Sequence, residues 1–161
     1  MPLIIDCSSP EQLPAVRALF VEYAASLDFD LCFQDFDHEL AGLPGDYGPP
    51  RGRLLLAMAE GRAVGCVGLR PLAQDACEMK RLYVQPAARG RGIGRMLAET
   101  VIKEAARLGY GRMLLDTVPS MQAAIKLYRE LGFRPIAPYR LNPIPGALFF
   151  ELILPHASAG T

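Results

Sequence analysis

An α/β fold around one mixed β-sheet is predicted by three observations. Apolar residues recur at helical spacing in three long segments. Six to seven short strand-like runs, bounded by glycine and proline, lie around them. The order is strand, helices, three strands, helix, strand, helix, two strands, which asks for a mostly antiparallel sheet flanked by helices. At 161 residues with 51% apolar content, the chain suits one domain with one sizeable core. Residues 1–154 are assigned to that domain, and residues 155–161 to a flexible tail.

Taken in order, Leu3-Ile4-Ile5 reads as a short strand. Ser8, Ser9, Pro10 and Glu11 look like a helix start: a hydroxyl cap, a proline in the first turn and an acid at the positive end of the dipole. Leu13, Val16, Leu19, Phe20, Tyr23, Ala24 and Leu27 then keep helical spacing. Residues 28–43 are acidic and aromatic and predict a short helix between loops. Residues 44–52 carry three prolines and three glycines, a loop. Residues 53–60 and 63–69 form a hairpin about Gly61-Arg62, and residues 76–84 a further strand. A Pro/Gly/Arg loop follows at 85–92. Ile93, Met96, Leu97, Val101, Ala105 and Leu108 mark an amphipathic helix stopped by Gly109. Met113-Leu114-Leu115 is a strand. Ser120 opens a helix bearing Ala124, Leu127, Tyr128 and Leu131, with Gly132 as its stop. Residues 133–137 and 147–154 are final strands about a proline-rich turn.

Lys plus Arg and Asp plus Glu both number 17, so the net charge is zero. That balance argues against a general nucleic-acid partner. It hides an asymmetry: residues 1–50 hold nine acids and one base, Arg17, and residues 51–161 hold eight acids and sixteen bases. No run reaches the roughly 18 apolar residues of a membrane span, and no secretory leader is visible. Cys7, Cys32, Cys66 and Cys77 form no CxxC pair, and His38 and His156 lie far apart, so no metal is expected. Buried thiols in a reducing, cytoplasmic setting are expected instead.

The segment Arg89-Gly90-Arg91-Gly92-Ile93-Gly94 stands between a strand and a helix. Its glycines admit close backbone approach, and the helix that follows offers unpaired N–H groups and a positive dipole end. Arg81, Arg89, Arg91 and Arg95 add charge. Together these read as a phosphate cradle, or as a flexible basic turn. The P-loop pattern is absent, and the glycines at 90, 92 and 94 do not keep dinucleotide-fold spacing.

Arg89-x-x-Gly92-x-Gly94 resembles the acyl-CoA pyrophosphate signature of the GNAT superfamily of N-acyltransferases. Residues Met79 to Val84 are similar to that family's central cofactor-binding strand, and Ala124 to Phe133 to its Ala-x-x-Leu-Tyr-x-x-x-Gly-Phe helix and stop. The resemblance implies a sheet whose two central parallel strands splay apart, with acetyl-CoA as co-substrate. It places the pyrophosphate on the backbone from Gly90 through Arg91, Gly92, Ile93 and Gly94 to Arg95, beside Arg89. The pantetheine arm would pair with the strand at Leu82, Tyr83 and Val84, where an amide could polarise the thioester carbonyl. One departure is Met121, where the family often has Asn; Ser120 or Gln122 could stand in for it.

Amine acetylation needs a base for the acceptor, a donor for the oxyanion and a proton for the thiolate. The resemblance makes Glu78 the candidate base, directly or through water. Strand alternation would set Glu78, Lys80, Leu82 and Val84 on one face. An ion pair with Lys80 or a neighbouring arginine is the alternative. Tyr128 is the candidate acid, or otherwise a core aromatic. Asp28, Asp30, Asp35, Asp37 and Glu39, set among Phe29, Phe33 and Phe36, suggest an entrance for a cationic small-molecule amine. Arg140, if it faces the cleft, would instead suit a carboxylate-bearing, amino-acid-like acceptor. A catalytically weak acyl-CoA-binding module and a peptide acetyltransferase are the competing readings. The resemblance also makes a homodimer an expectation.

Overall fold

The structure is a computed structural model that describes residues 2–7, 9–31 and 34–155. Seven strands are formed: β1 (Leu3–Asp6), β2 (Arg53–Ala59), β3 (Arg62–Pro71), β4 (Ala76–Val84), β5 (Arg112–Thr117), β6 (Arg134–Ile136) and β7 (Leu148–Ile153). They make one sheet in the order β1-β2-β3-β4-β5-β7-β6. Helices α1 (Leu13–Ser26), α2 (Phe36–Ala41), α3 (Ile93–Arg107) and α4 (Gln122–Glu130) complete the order of elements. Every neighbouring pair of strands is antiparallel except β4 with β5. The predicted mixed, mostly antiparallel sheet is therefore present, with one parallel pair at its centre.

Two apolar layers cover the sheet. On one face Val67, Leu69, Met79, Met113, Leu115 and Phe150 meet Ile93, Leu97, Val101 and Ala105 of α3 and Ile125 and Tyr128 of α4. The spacing of those α3 residues is why residues 93–107 fold as a helix with one buried side. On the other face Leu54, Leu56, Cys66 and Tyr83 meet Val16, Leu19 and Phe20 of α1 and Phe36 of α2. Each such large side chain, buried to near zero exposure, stabilises the fold by roughly 1.5–3 kcal/mol. The Tyr47 ring packs against Gly68 of β3; a Cβ there would stand 2.6 Å from the ring.

Local punctuation departs from expectation in two places. Helix α1 begins at Leu13, with Pro14 in its first turn, while Ser9 bonds the Gln12 side chain at 2.8 Å. Ser8 lies outside the described residues, as does the expected tail apart from Pro155. The first hairpin turns on Glu60-Gly61, both with positive φ, which is the two-residue turn that matches strand twist. Arg62 already pairs with Ala59.

Two features of β4 position the site. Its parallel pairing with β5 covers only Ala76, Cys77 and Glu78, although β4 runs on to Val84 and β5 to Thr117. Beyond Glu78 the two strands part into a fork. A bulge also interrupts the β3–β4 register between Lys80 and Tyr83, and Arg81 takes a positive φ of 62° within it. The extra residue resets the alternation. Met79, Leu82 and Val84 pack on the α3 face, and Tyr83 on the α1 face. Lys80 reaches Gln34 and Arg81 reaches Glu39, both on the α1–α2 side. The expectation that Glu78, Lys80, Leu82 and Val84 share one face is thus corrected: the bulge turns Leu82 and Val84 away from Lys80.

Candidate active site

A cavity of about 560 Å³ opens at the fork. Leu82, Tyr83 and Val84 of β4 line one wall, and Ser120 to Ala124 with Leu127, at the start of α4, the opposite one. Tyr23 to Asp28, at the end of α1, and Arg89 with Gly94, at the start of α3, contribute the rest through Tyr23, Ser26, Leu27 and Asp28. Arg89 is held in place: its Nε donates to the Val84 carbonyl at 2.9 Å, and its guanidinium lies 5.9 Å from the Tyr83 ring. Gly90 and Gly92 both take positive φ, and open space surrounds the position of a Cβ at each. Helix α3 has Gly92 as its cap residue and no side-chain cap, so the amides of Ile93, Gly94 and Arg95 keep their donors for another acceptor. A slot that ends on unpaired amides and Arg89 fits an extended arm with an anionic end.

Two arginines expected in the cradle serve elsewhere. The Arg81 guanidinium is buried and bidentate on Glu39 of α2, at 3.0 and 2.9 Å. The Arg95 guanidinium is turned onto Glu130 of α4, with Glu99 nearby; its backbone amide alone remains in the first turn. Met121 lines the cavity with Ser120 and Gln122, and the Gln122 amide donates to the Pro119 carbonyl.

Below the cavity, deeper in the fork, lies a polar recess of about 40 Å³. Tyr23, Leu82 and Met121 line both spaces. Lys80, Asp116, Thr117, Gln34 and Tyr128 converge on the recess. Tyr128 packs its ring against Phe133 and Phe150, so the core reading of this residue describes the ring, while the hydroxyl reaches the recess. Among the described residues that hydroxyl has no hydrogen-bond partner. Burial, with lesser contributions from Tyr23 and Asp116, pushes its pKa above that of an ordinary phenol, so it stays protonated. Thr117 Oγ1 is buried in the same recess, also without a partner.

Glu78 is fully buried at the root of the fork, and both of its oxygens are occupied. Arg70 holds Oε1 at 2.9 Å; the Tyr139 hydroxyl donates to Oε2 at 2.7 Å, and Arg140 pairs with the same oxygen. Burial alone would raise its pKa, but Lys80, Arg70 and Arg140 outweigh it and hold the carboxyl below the ordinary value. Arg140 is accordingly spent on Glu78 instead of facing an open cleft.

Lys80 is only 6% exposed. Its Nζ donates to Gln34 Oε1 at 2.8 Å, and among the described residues no carboxylate lies within 4 Å of it. Burial lowers its pKa to about 8, against the opposing pull of Glu78 and Asp116. The sequence named Lys80 only as an ion-pair partner of Glu78; it allowed a neighbouring arginine there without singling out Arg70, and it set Tyr139 with Arg140 only as a wall of the acceptor site. A lysine inside an otherwise buried strand was the available signal.

The acidic segment does not form a single wall. Glu39 is taken up by Arg81 and by the Tyr47 hydroxyl. Asp35 and Asp37 are exposed, and Asp28 lines the larger cavity. A second opening of about 380 Å³, lined by Gln34, Asp35, His38, Glu39, Tyr47 and Arg70 among others, meets the recess at Gln34. The Cys7 and Cys77 thiols are pushed up to about 12 by burial, and Cys66 is raised further. None of these three lines the cavity, the recess or the second opening.

A sequence model described as the acetyltransferase (GNAT) family matches residues 13–133. An uncharacterised N-acetyltransferase of Schizosaccharomyces pombe is 41% identical over 89% of each chain. An N-acetylaspartate synthetase of Danio rerio is 31% identical over 73% of this chain and 45% of its own. The crystal structure of a GNAT-family acetyltransferase from Staphylococcus aureus superposes with a TM-score of 0.78, covering 96% of this chain and 100% of that one at 21% identity, a likeness of fold.

Proposed function

The chain belongs to the acetyltransferase (GNAT) family and is an acetyl-CoA-dependent N-acetyltransferase, and from that premise we propose that it transfers the acetyl group directly to the primary amine of a small, amino-acid-like acceptor. The observation that carries this reading is the fork: a cavity for the cofactor arm ends in a recess large enough for one small group. The acetyl-bearing end belongs in that recess, because the recess is far smaller than the cavity above it and continues it past Leu82 and Met121.

In this arrangement Leu82, Tyr83 and Val84 present the β4 edge to the pantetheine arm. Arg89 and the backbone from Gly90 through Arg91, Gly92, Ile93 and Gly94 to Arg95 receive the pyrophosphate. A β4 amide beside Leu82 polarises the thioester carbonyl. Tyr128 supplies the proton for the departing thiolate. Its raised pKa makes it a weak acid, but its hydroxyl is already aimed into the recess, so proximity offsets part of the cost.

Direct transfer is supported by the cysteines. With their thiols buried and raised to about 12 or beyond, the three described cysteines, Cys7, Cys66 and Cys77, offer no thiolate for an acetyl-enzyme; Cys32 lies outside the described residues. A small acceptor is supported by the size of the recess. An amino-acid-like one accords with a relative named for making N-acetylaspartate. Of the acidic residues expected to draw a cationic amine, Glu39 is paired with Arg81, Asp37 is exposed, and Asp28 and Asp35 line different openings, so they form no single wall to support that preference.

Release of free thiol from acetyl-CoA over a panel of amino acids, polyamines and short peptides tests the reading. Turnover is expected with one or more amino acids. Turnover confined to peptides would overturn the small-acceptor assignment, and binding of acetyl-CoA with no turnover on any member would overturn transfer itself.

A further inference from the structure

Resting on the acetyl-transfer reading above, we propose that Lys80, and not Glu78, removes the proton from the acceptor amine, because Lys80 alone brings an amine nitrogen without a carboxylate partner into the recess at the fork, facing Tyr128. Lys80 lies on the α1–α2 side of the sheet, where it meets Gln34, and the bulge that follows at Arg81 turns Leu82 and Val84 to the cofactor on the other side.

Glu78 is badly suited to the task. A base needs a lone pair directed at the substrate, and both Glu78 oxygens are engaged by Arg70, Tyr139 and Arg140. Those partners also stabilise its anion and keep its conjugate acid strong. A proton passing from an alkylammonium near pKa 10.4 to a carboxylate held below its ordinary value climbs further than the roughly six units an ordinary carboxylate would ask, whereas passage to Lys80 climbs about two. Every element around Lys80 contributes to its poise. On β4, Glu78 raises its basicity and Arg81 lowers it; Asp116 on β5 raises it; Arg70 on β3 lowers it. Gln34, between α1 and α2, accepts one N–H, and Tyr23 of α1 and Tyr128 of α4 complete the surroundings. Burial dominates and leaves a lysine that is partly neutral near physiological pH.

The proton count closes. Neutral Lys80 takes one proton from the acceptor ammonium. The amine lone pair then forms the N–C bond to the thioester carbonyl carbon, and the C–S bond breaks as the carbonyl reforms. The second proton on nitrogen reaches the leaving sulfur by way of the Tyr128 hydroxyl, which gives one proton and regains one. Coenzyme A leaves as the thiol, and Lys80 returns its proton to solvent.

Rate-against-pH profiles of the wild type, Lys80→Arg and Lys80→Met, with two acceptors of different amine pKa, test the assignment. Thiol release is the readout, and stabilisation by acetyl-CoA shows that each variant is folded. The expected wild-type kcat/KM falls on the acid side with a midpoint near 8 for both acceptors. Both variants are expected to lose about 100-fold or more in kcat, as for removal of a general base. Arginine keeps the charge but cannot give up its proton at these pH values. Lys80→Arg within threefold of wild type would overturn the proposal in favour of a fixed-charge role. So would an acid limb that follows the acceptor's own pKa. Carbon-13 NMR of labelled lysine side chains gives a reading independent of turnover, since the chain has only Lys80, Lys103 and Lys126. One resonance is expected to titrate near 8 and to vanish in Lys80→Arg; three titrating together above 10 would also overturn the assignment. A wild type that acetylates no amine overturns the transfer reading and this one with it, whereas an active wild type with an active Lys80→Arg overturns this one alone.

Discussion

Replacing Lys80 by Met should make the protein more stable at neutral pH and less active. The ammonium is 6% exposed and has one neutral hydrogen-bond partner. Its pKa falls from 10.5 to about 8 on folding, so holding the charge inside costs on the order of 3 kcal/mol at about 1.4 kcal/mol per unit. Methionine has a similar length and no charge to desolvate. Some of the gain is lost because Glu78 and Asp116 lose a nearby cation, so a net gain of roughly 1–3 kcal/mol is expected. For a chain of this size that is about 3–10 °C in Tm. The pH dependence identifies the cause. Between 8 and 10.5 the unfolded chain holds a proton at Lys80 that the folded one has released, so wild-type stability rises with pH through that window. The advantage of Lys80→Met should be constant below about 8 and should shrink to the packing difference by about 10.5. Urea unfolding of both proteins between pH 6 and 10.5 measures it. A variant no more stable at pH 7, or an advantage that does not shrink with rising pH, would refute the reasoning.

Three further outcomes are expected. Glu78→Gln leaves Arg70 and Arg140 facing a neutral amide, and should cost roughly 3–5 kcal/mol at pH 7. Because the folded pKa of Glu78 lies below 4.5, that deficit should be fully present above 4.5 and should fade as pH drops through the folded value; chemical denaturation at pH 7 and pH 3 reads it. Gly68→Ala would push a Cβ to 2.6 Å from the Tyr47 ring and should destabilise by about 1–3 kcal/mol, measured by thermal melting. Tyr128→Phe keeps the ring packing against Phe133 and Phe150 and should lower kcat by about 100-fold or more, with acetyl-CoA binding by calorimetry unchanged.

Much of the site was legible because it rests on local patterns. The glycines at 90 and 92 need positive φ whatever surrounds them, and the spacing of Ile93, Leu97 and Val101 fixes which side of α3 faces the sheet. The places that were not legible depend on partners distant in sequence. Strand alternation set Glu78, Lys80, Leu82 and Val84 on one face, and a single residue in the left-handed region at Arg81 undid it. Arginine has no propensity that announces such a bulge. Its cause is tertiary: the bidentate hold of Glu39, 42 residues earlier, and the rings of Phe36 and Tyr23 beside the guanidinium. In the same way, a neighbouring arginine beside Glu78 was expected and Arg70 on β3 supplies it, but nothing near Glu78 in sequence shows that Arg140 will close on it as well, from the turn between β6 and β7.

The opposed charges of the two parts of the chain take their meaning from that bulge. Residues 1–50 carry nine acids and one base, and they fold as the layer over the β4 face that carries Lys80 and Arg81. Three of those acids meet residues of the second part. Glu39 neutralises Arg81, Glu22 accepts from Gln85 and Tyr83, and Asp6 stands 3.5 Å from Arg53. The Glu39–Arg81 pair matters most, since both groups are largely withdrawn from water and loss of one partner would strand the other at a cost of about 3–5 kcal/mol. By holding Arg81 on α2, the pair also holds the turn of β4 that sends Leu82 and Val84 to the cofactor side and leaves Lys80 on the other. The acidic segment therefore acts on the reaction centre through the backbone of β4 more than through a field at an entrance. A change at Glu39 should then disturb cofactor binding although Glu39 does not line the cofactor cavity.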